Sequence, residues 1–292
     1  TNCNKTGGGS QLVERRGWGS YYRNTSTTTH AFAIGTSSTY WQNHYISCDN
    51  GSRVDGLANL GIRYNYYKNV TTNSVLVQNL NSCPAANINN NTIENTTSGI
   101  SWLLNPATIV NISNNKVFAT INAINLGDNN NTTAQKTVAQ NDMQDVRYGI
   151  QLSSVSNVNL DRNYVKMNPT QHVGLEKIGI WVSNCTGLLT SVQNFIDGNY
   201  LSGGTAPANT RGIVSVTSPN ASFQCDSIIR CQWAIRGVGN SNPTEFRAVA
   251  MRDCNAGIVI DGAGAQFGPQ FWIAIPPFGF STNDNKWWGS TF

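Results

Sequence analysis

Between Ser74 and Gly257 the apolar positions of this chain recur with a fixed spacing. A small residue followed by a β-branched one appears as Ser74-Val75, Gly99-Ile100, Ala123-Ile124, Gly149-Ile150, Gly179-Ile180, Gly212-Ile213, Ala234-Ile235 and Gly257-Ile258, in steps of 25, 24, 26, 30, 33, 22 and 23 residues. A second pattern, apolar-x-x-Asn-x-apolar, keeps the same time. It reads Ile88-Asn91-Ile93, Ile112-Asn115-Val117, Val138-Asn141-Met143, Leu160-Asn163-Val165 and Ile196-Asn199-Leu201, then degrades to Phe223-Asp226-Ile228 and Phe246-Val249-Met251. Two landmarks on one period point to a solenoid. Within each repeat the apolar residues alternate with polar ones, as at Val110, Ile112 and Val158, Leu160, and are mostly β-branched. That is the period of strands, and helical repeats would need three- and four-residue spacing. Asn, Gly and Ser between the runs supply turn geometry.

Repeats of this texture resemble a right-handed parallel β-helix, an all-β fold whose coils stack at the strand spacing of about 4.8 Å. The recurrent Asn suits a tight bend, because it tolerates left-handed backbone angles. Its amide both donates and accepts, so stacked copies can bond along the axis. Asn91, Asn115, Asn141, Asn163 and Asn199 are therefore expected to form one inward ladder. The period divides a single elongated domain into an N-terminal cap with irregular first coils (1–72), regular coils (73–262) and an aromatic-rich C-terminal cap (263–292). Open solenoid ends expose strand edges and core and need covering. The 30- and 33-residue steps place insertions around 168–177 and 202–211, and loops on one side of a solenoid are where binding usually sits.

Composition narrows the function. Only 12% of residues are charged and the net charge is +4, with no run of Lys or Arg, which argues against nucleic acid as a partner. No apolar stretch approaches the roughly 20 residues of a transmembrane segment. The absence of an initiator Met and of a signal pattern reads as a mature or excised piece. Seven cysteines are an odd number without CxxC spacing, so no zinc site is expected, and no other metal or cofactor. Cys231 and Cys254 each precede the small residue of their coil by three positions. They are expected either as a disulfide or as stacked reduced thiols, and Cys3 with Cys48 is a plausible N-terminal staple. Asn-X-Ser/Thr triplets at Asn24, Asn69, Asn95, Asn184 and Asn220 would be glycan acceptors in a eukaryotic secreted protein; in an Asn/Thr-rich bacterial chain they follow from composition alone.

Enzymes with this fold mostly cut acidic polysaccharides. The short motifs of polygalacturonase-like hydrolases (Asn-Thr-Asp, Asp-Asp, Gly-His-Gly, Arg-Ile-Lys) do not occur, His30, His44 and His172 stand outside any such context, and no compact acidic cluster suggests calcium. Aligning the coils on Asn still singles out Asp161 and Asp197, each two positions before its Asn. On neighbouring coils they would lie about 5 Å apart, near the carboxyl separation of a retaining glycosidase, with Arg162 beside them. The plainer reading makes them solvated turn residues with Arg162 as counter-charge. Asp142, Asp145 and Arg147 form a second group of the same kind. Trp272, Trp287 and Trp288 near the C-terminus suit a plug, a carbohydrate-stacking platform or a contact with a following domain.

The coil starts Tyr148-Gly149-Ile150 and Ala256-Gly257-Ile258, the Cys-x-x-small-Ile segments at Cys231 and Cys254, and the Asn-Lys-Trp-Trp-Gly ending at Gly289 carry a resemblance. They are similar to β-helix modules of large bacterial surface and secreted proteins, particularly those of Bacteroidota exported by the type IX system. The resemblance implies an extracellular or cell-surface module for adhesion, display or assembly, with further domains of a longer chain among its partners. The first expectation is a non-catalytic module that binds a polysaccharide or another cell-surface protein along its side. The alternatives are a polysaccharide hydrolase or lyase using Asp161 and Asp197, or a phage tailspike-like fibre.

Overall fold

The computed structural model describes residues 18–24, 30–35, 43–56, 58–78, 85–103, 109–128, 134–168, 174–199, 209–267 and 286–288. They form strands and no helix, wound as a parallel β-solenoid of about eight turns. Each coil contributes three strand segments. A first face holds 92–94, 116–118, 142–144, 164–167, 195–197, 227–229 and 250–252. A corner leads to a second face (98–103, 122–127, 148–153, 177–183, 210–216, 233–238, 256–261), and the two make one 18-stranded sheet. A separate nine-stranded sheet is the third face, including 85–89, 109–113, 136–139, 158–161, 189–192 and 221–224.

The small-then-branched landmark is the register itself. Val75, Ile100, Ile124, Ile150, Ile180, Ile213, Ile235 and Ile258 are successive cross-strand partners on the second face. The small residue is needed because the corner passes close to its neighbours. A Cβ on Gly149 would sit 2.4 Å from the Gly179 carbonyl oxygen and 2.5 Å from Val165 Cγ1, and one on Gly212 would sit 2.4 Å from both the Ala234 oxygen and Ile228 Cγ2. From Val75 to Ile235 the branched residue then fills the core at full burial.

The same register runs upstream of residue 72. Trp18–Asn24 pairs with Asn50–Gly56, so that Ser20 aligns with Ser52 and Ser52 with Val75. Serine in the branched position leaves room that Tyr45 and Tyr67 take from the first face. Their rings stack at 4.8 Å, and their hydroxyls bond Ser20 and Ser52 at 2.8 Å. A small-for-large exchange thus keeps the core filled, and burial pushes the Tyr67 phenol well above its ordinary pKa.

The ladder runs Asn43, Asn65, Asn91, Asn115, Asn141, Asn163, Asn194 and ends at Asp226. Asn115 shows the unit. Its backbone N–H and its Nδ2 both donate to Asn141 Oδ1 (3.0 and 2.9 Å), and Nδ2 also donates to the carbonyls of Ser113 (3.1 Å) and Ile88 (2.9 Å). Two expectations are corrected. Asn199 is not a rung: it is half-exposed, and the place belongs to Asn194, hidden in the sequence because Ser191 stands where the pattern asks for an apolar residue. Nor is the rung the bend residue. The left-handed angle falls one position earlier, at Tyr64, Asn90, Asn114, Gln140, Arg162, Gln193, Cys225 and Ala248 (φ 55, 55, 55, 56, 50, 56, 54 and 51°). The ladder Asn is selected for its amide, not for its backbone.

A shorter stack works alike at another corner. Val155 N–H donates to Cys185 Sγ (3.4 Å), Cys185 N–H to Ser218 Oγ (3.1 Å) and Ser218 N–H to Ser241 Oγ (3.1 Å). Burial pushes the Cys185 thiol up to about 11. Nearby, Lys136 Nζ meets Asp128 Oδ2 at 2.6 Å with both side chains fully buried, and donates to the carbonyls of Ala134 and Ser156.

Candidate functional site

Both insertions return to the second face. The first delivers Glu176 and Lys177, the second Asn209, Thr210 and Arg211; segments 169–173 and 200–208 lie outside the described residues. Strand register then sets two outward rows along the axis. One runs Tyr148, Ile178, Arg211, Trp233, Ala256; the other Gln151, Trp181, Val214, Arg236, Val259. On earlier coils the second row reads Ser101 and Asn125, so rings and guanidiniums gather where the insertions do.

Arg211 lies with its guanidinium carbon 3.6 Å from the centre of the Trp233 ring, and Arg236 approaches the same ring at 5.3 Å. Stacking of this kind contributes about 0.5–2 kcal/mol, more where water is excluded. Arg211 is only 6% exposed. Its Nη1 donates to Gln232 Oε1 (2.5 Å), which also accepts the Asn209 N–H (2.8 Å). Glu176 Oε1 sits between two guanidiniums, 3.4 Å from Arg211 Nε and 3.2 Å from Arg236 Nη1, while Arg236 Nη2 reaches Asp261 Oδ2 at 2.6 Å. Burial lowers the pKa of Arg211, and Glu176 partly restores it.

The opposite end of the patch is aromatic as well. Tyr148 and Trp181 pack at 5.8 Å between ring centres. Arg147 covers Tyr148 at 4.7 Å and donates Nε to the Glu176 backbone carbonyl (3.0 Å). Desolvation, with Arg147 nearby, lowers the pKa of Lys177. Trp181 Nε1 is buried without a hydrogen-bond partner. The face therefore carries Arg147, Arg211 and Arg236 against Glu176 and Asp261, with three rings among them, while Lys177 is buried and donates to the Leu175 carbonyl.

The candidates read from the sequence are distributed differently. Asp161 and Asp197 do not come together. Asp161 is on the third face beside Ala139 and Val192, held by Arg162 (Nη2–Oδ2 2.7 Å). Asp197 is on the first face between Lys166 and Ile229, almost fully buried, and accepts from Arg230 Nε (2.9 Å) and the Asn199 N–H (2.7 Å). The alignment on Asn199 produces the apparent match, and moving the rung to Asn194 dissolves it. Asp142 lies on the first face, Asp145 at a left-handed corner (φ 54°), and Arg147 alone reaches the second face.

Cys231 and Cys254 are free, buried and neighbours, donating to the carbonyls of Ile229 (3.4 Å) and Arg252 (3.4 Å), so the stacked-thiol reading holds. Cys48 is disulfide-bonded, and Cys3 lies outside the described residues. Trp272 also lies outside them. Trp287 and Trp288 belong to strand Lys286–Trp288, which pairs with Ala250–Arg252; their side chains are outside the described set. Among the described residues no group of three or more His, Cys, Asp or Glu could hold a metal, and no helix is long and apolar enough to cross a membrane.

Sequence reasoning missed Arg211, Trp233, Trp181, Tyr148 and Glu176 as a group. The available signals were the two long steps and the aromatic residues in outward slots beside them. No protein family matches the chain, and no curated protein matches it either.

Proposed function

We propose that the protein is a glycan-binding surface module whose ligand lies on the second face between the two insertions. The observation that carries this reading is the outward cluster of Tyr148, Trp181 and Trp233 interleaved with Arg211 and Arg236. Aromatic faces stack on the C–H faces of sugars, and guanidiniums bond ring hydroxyls and carboxylates. A hydrolase on this face would need two uncommitted carboxylates, whereas Glu176 and Asp261 both grip Arg236. That commitment favours binding over cleavage. The low charge and Asn/Thr-rich coils, with the resemblance of the coil starts to bacterial surface modules, support an extracellular address and a role in adhesion, display or assembly. The Bacteroidota origin and type IX export belong to the same proposal.

Electrophoresis through gels cast with neutral and acidic polysaccharides tests the reading. Retardation is expected with polysaccharide length unchanged, and Trp181→Ala with Trp233→Ala should weaken it by about tenfold or more, about 1.4 kcal/mol. Retardation unaffected by those substitutions, or absent with every polysaccharide, refutes it. Shortened polysaccharide would instead favour a hydrolase or lyase.

A further inference from the structure

The sign of the charge on the aromatic patch depends on whether residues or exposed atoms are counted. By residue the face is cationic, with Arg147, Arg211 and Arg236 against Glu176 and Asp261. Exposure reverses the order around the tryptophans. The Arg211 and Arg236 side chains are 7% and 24% exposed, whereas those of Glu176 and Asp261 are 36% and 48% exposed.

The cations are held inward by their partners. Arg211 lies against the Trp233 ring and donates Nη1 to Gln232 Oε1 and to the Thr210 carbonyl (3.2 Å). Arg236 donates Nη1 to Glu176 and Nη2 to Asp261, and the Nε of both arginines is buried. At the far end Arg147 lies against Tyr148 and donates Nε to the Glu176 carbonyl. Lys177 is buried. What reaches solvent beside Trp181 and Trp233 is therefore chiefly carboxylate oxygen. Such an oxygen accepts a hydroxyl hydrogen in a charge-assisted bond and repels another carboxylate. An anionic ligand would have to displace Glu176 or Asp261 to reach Arg236.

Strand register sets the length of the patch. Tyr148 and Trp181 lie on successive coils and pack together, and Trp233 lies two coils beyond Trp181, about 10 Å along the axis. One pyranose ring cannot meet both tryptophans, whereas a few rings joined along the axis can.

We propose that the patch selects an uncharged polysaccharide lying along the solenoid axis. Its rings stack on Trp181 and Trp233, and its hydroxyls donate to Glu176 and Asp261. The proposal rests on the glycan reading and narrows it to neutral chains.

Gels cast with polysaccharides that share a backbone and differ in charge test it. The pairs are hydroxyethylcellulose with carboxymethylcellulose and methyl-esterified with free polygalacturonate; galactomannan and arabinoxylan are further neutral chains. At least one neutral polymer should retard the protein more than any acidic one. That retardation should survive about 1 M NaCl, where charges are screened beyond about 3 Å. As competitors, tetrasaccharides of the same polymer should be about tenfold or more stronger than its monosaccharide. Asp261→Asn keeps the side-chain shape and removes an exposed charge. It should weaken retention by the neutral polymer about threefold or more and strengthen retention by the acidic ones.

Stronger retention by an acidic polymer, lost in Trp181→Ala with Trp233→Ala, overturns the neutral-chain proposal and leaves the glycan reading standing. Neutral retention indifferent to Asp261→Asn, or a monosaccharide competing as well as the tetrasaccharide, overturns it too. Retention by no polymer, or retention that ignores the tryptophan pair, refutes the glycan reading itself and this proposal with it.

Discussion

Replacing Asp226 with asparagine should stabilise the protein at neutral pH. Asp226 is the last rung of the ladder: Oδ1 accepts the backbone N–H of Asn194 (2.8 Å) and its Nδ2 (3.0 Å), and Oδ2 accepts Ser191 Oγ (2.8 Å). The next coil places the apolar side chain of Val249 in the same column. The Asp226 carboxyl is fully buried, and desolvation outweighs its three hydrogen bonds, raising its pKa from 3.8 to about 6. A folded-state pKa above the unfolded one means that the native state holds the proton more tightly. Below pH 3.8 both states are protonated and there is no penalty; it grows as pH rises from 3.8 to about 6 and is complete above that. The shift corresponds to about 3 kcal/mol. A neutral amide in the same place escapes that penalty, and its NH₂ group can donate to carbonyls as the other rungs do. The Ser191 hydroxyl would lose its acceptor at a cost of about 1 kcal/mol. Asp226→Asn should therefore gain about 2 kcal/mol near pH 7.5, with the gap shrinking below pH about 4. Denaturant titrations of both proteins across that range give the difference directly. A variant no more stable at pH 7.5, or a gap that does not change with pH, refutes the reasoning.

Other outcomes follow from the same geometry. Asn141→Ala strands the Asn115 N–H and takes one donor from each of the carbonyls of Ile112 and Ala139, the latter still accepting the Asn114 N–H, and should cost about 2–4 kcal/mol in urea unfolding. Asn199→Ala should stay within about 1 kcal/mol of the parent, since that side chain is no rung. Asp128→Ala leaves the Lys136 ammonium buried and should destabilise by about 3–5 kcal/mol, read by thermal or urea unfolding. Alkylation of the folded protein, mapped by mass spectrometry, should label exposed Cys225 before buried Cys185, Cys231 and Cys254. Early labelling of Cys231 would contradict its fully buried place.

How much of this is legible in the sequence depends on how often a constraint repeats. The corner beside Gly149 and Gly212 imposes one steric demand on every coil, so the small-then-branched landmark marks the register from Ser74 to Ile258. The ladder imposes one hydrogen-bonding demand, and Asn91, Asn115, Asn141 and Asn163 answer it as expected. Asn199 fails because Ser191 lies beside the true rung, Asn194, and breaks the apolar template while the amide is kept. The first coils are obscured for a related reason. Ser20 and Ser52 carry the register, but Tyr45 and Tyr67 supply the missing volume from the other side of the core, and a one-dimensional pattern does not register such an exchange.

Outward positions obey no such repetition. A side chain on the surface of a solenoid is free to differ from coil to coil, so a binding surface appears once, without a period to reveal it. Asp161 and Asp197 look equivalent only when a ladder position is misassigned, and in a repeat a single slipped coil can manufacture an active site. The informative signal lies in departures from the period: two coils of 30 and 33 residues, each returning a charged residue to the second face. In a fold whose stability comes from repetition, the places that break the repeat at an energetic cost are the places to look for selection by a ligand.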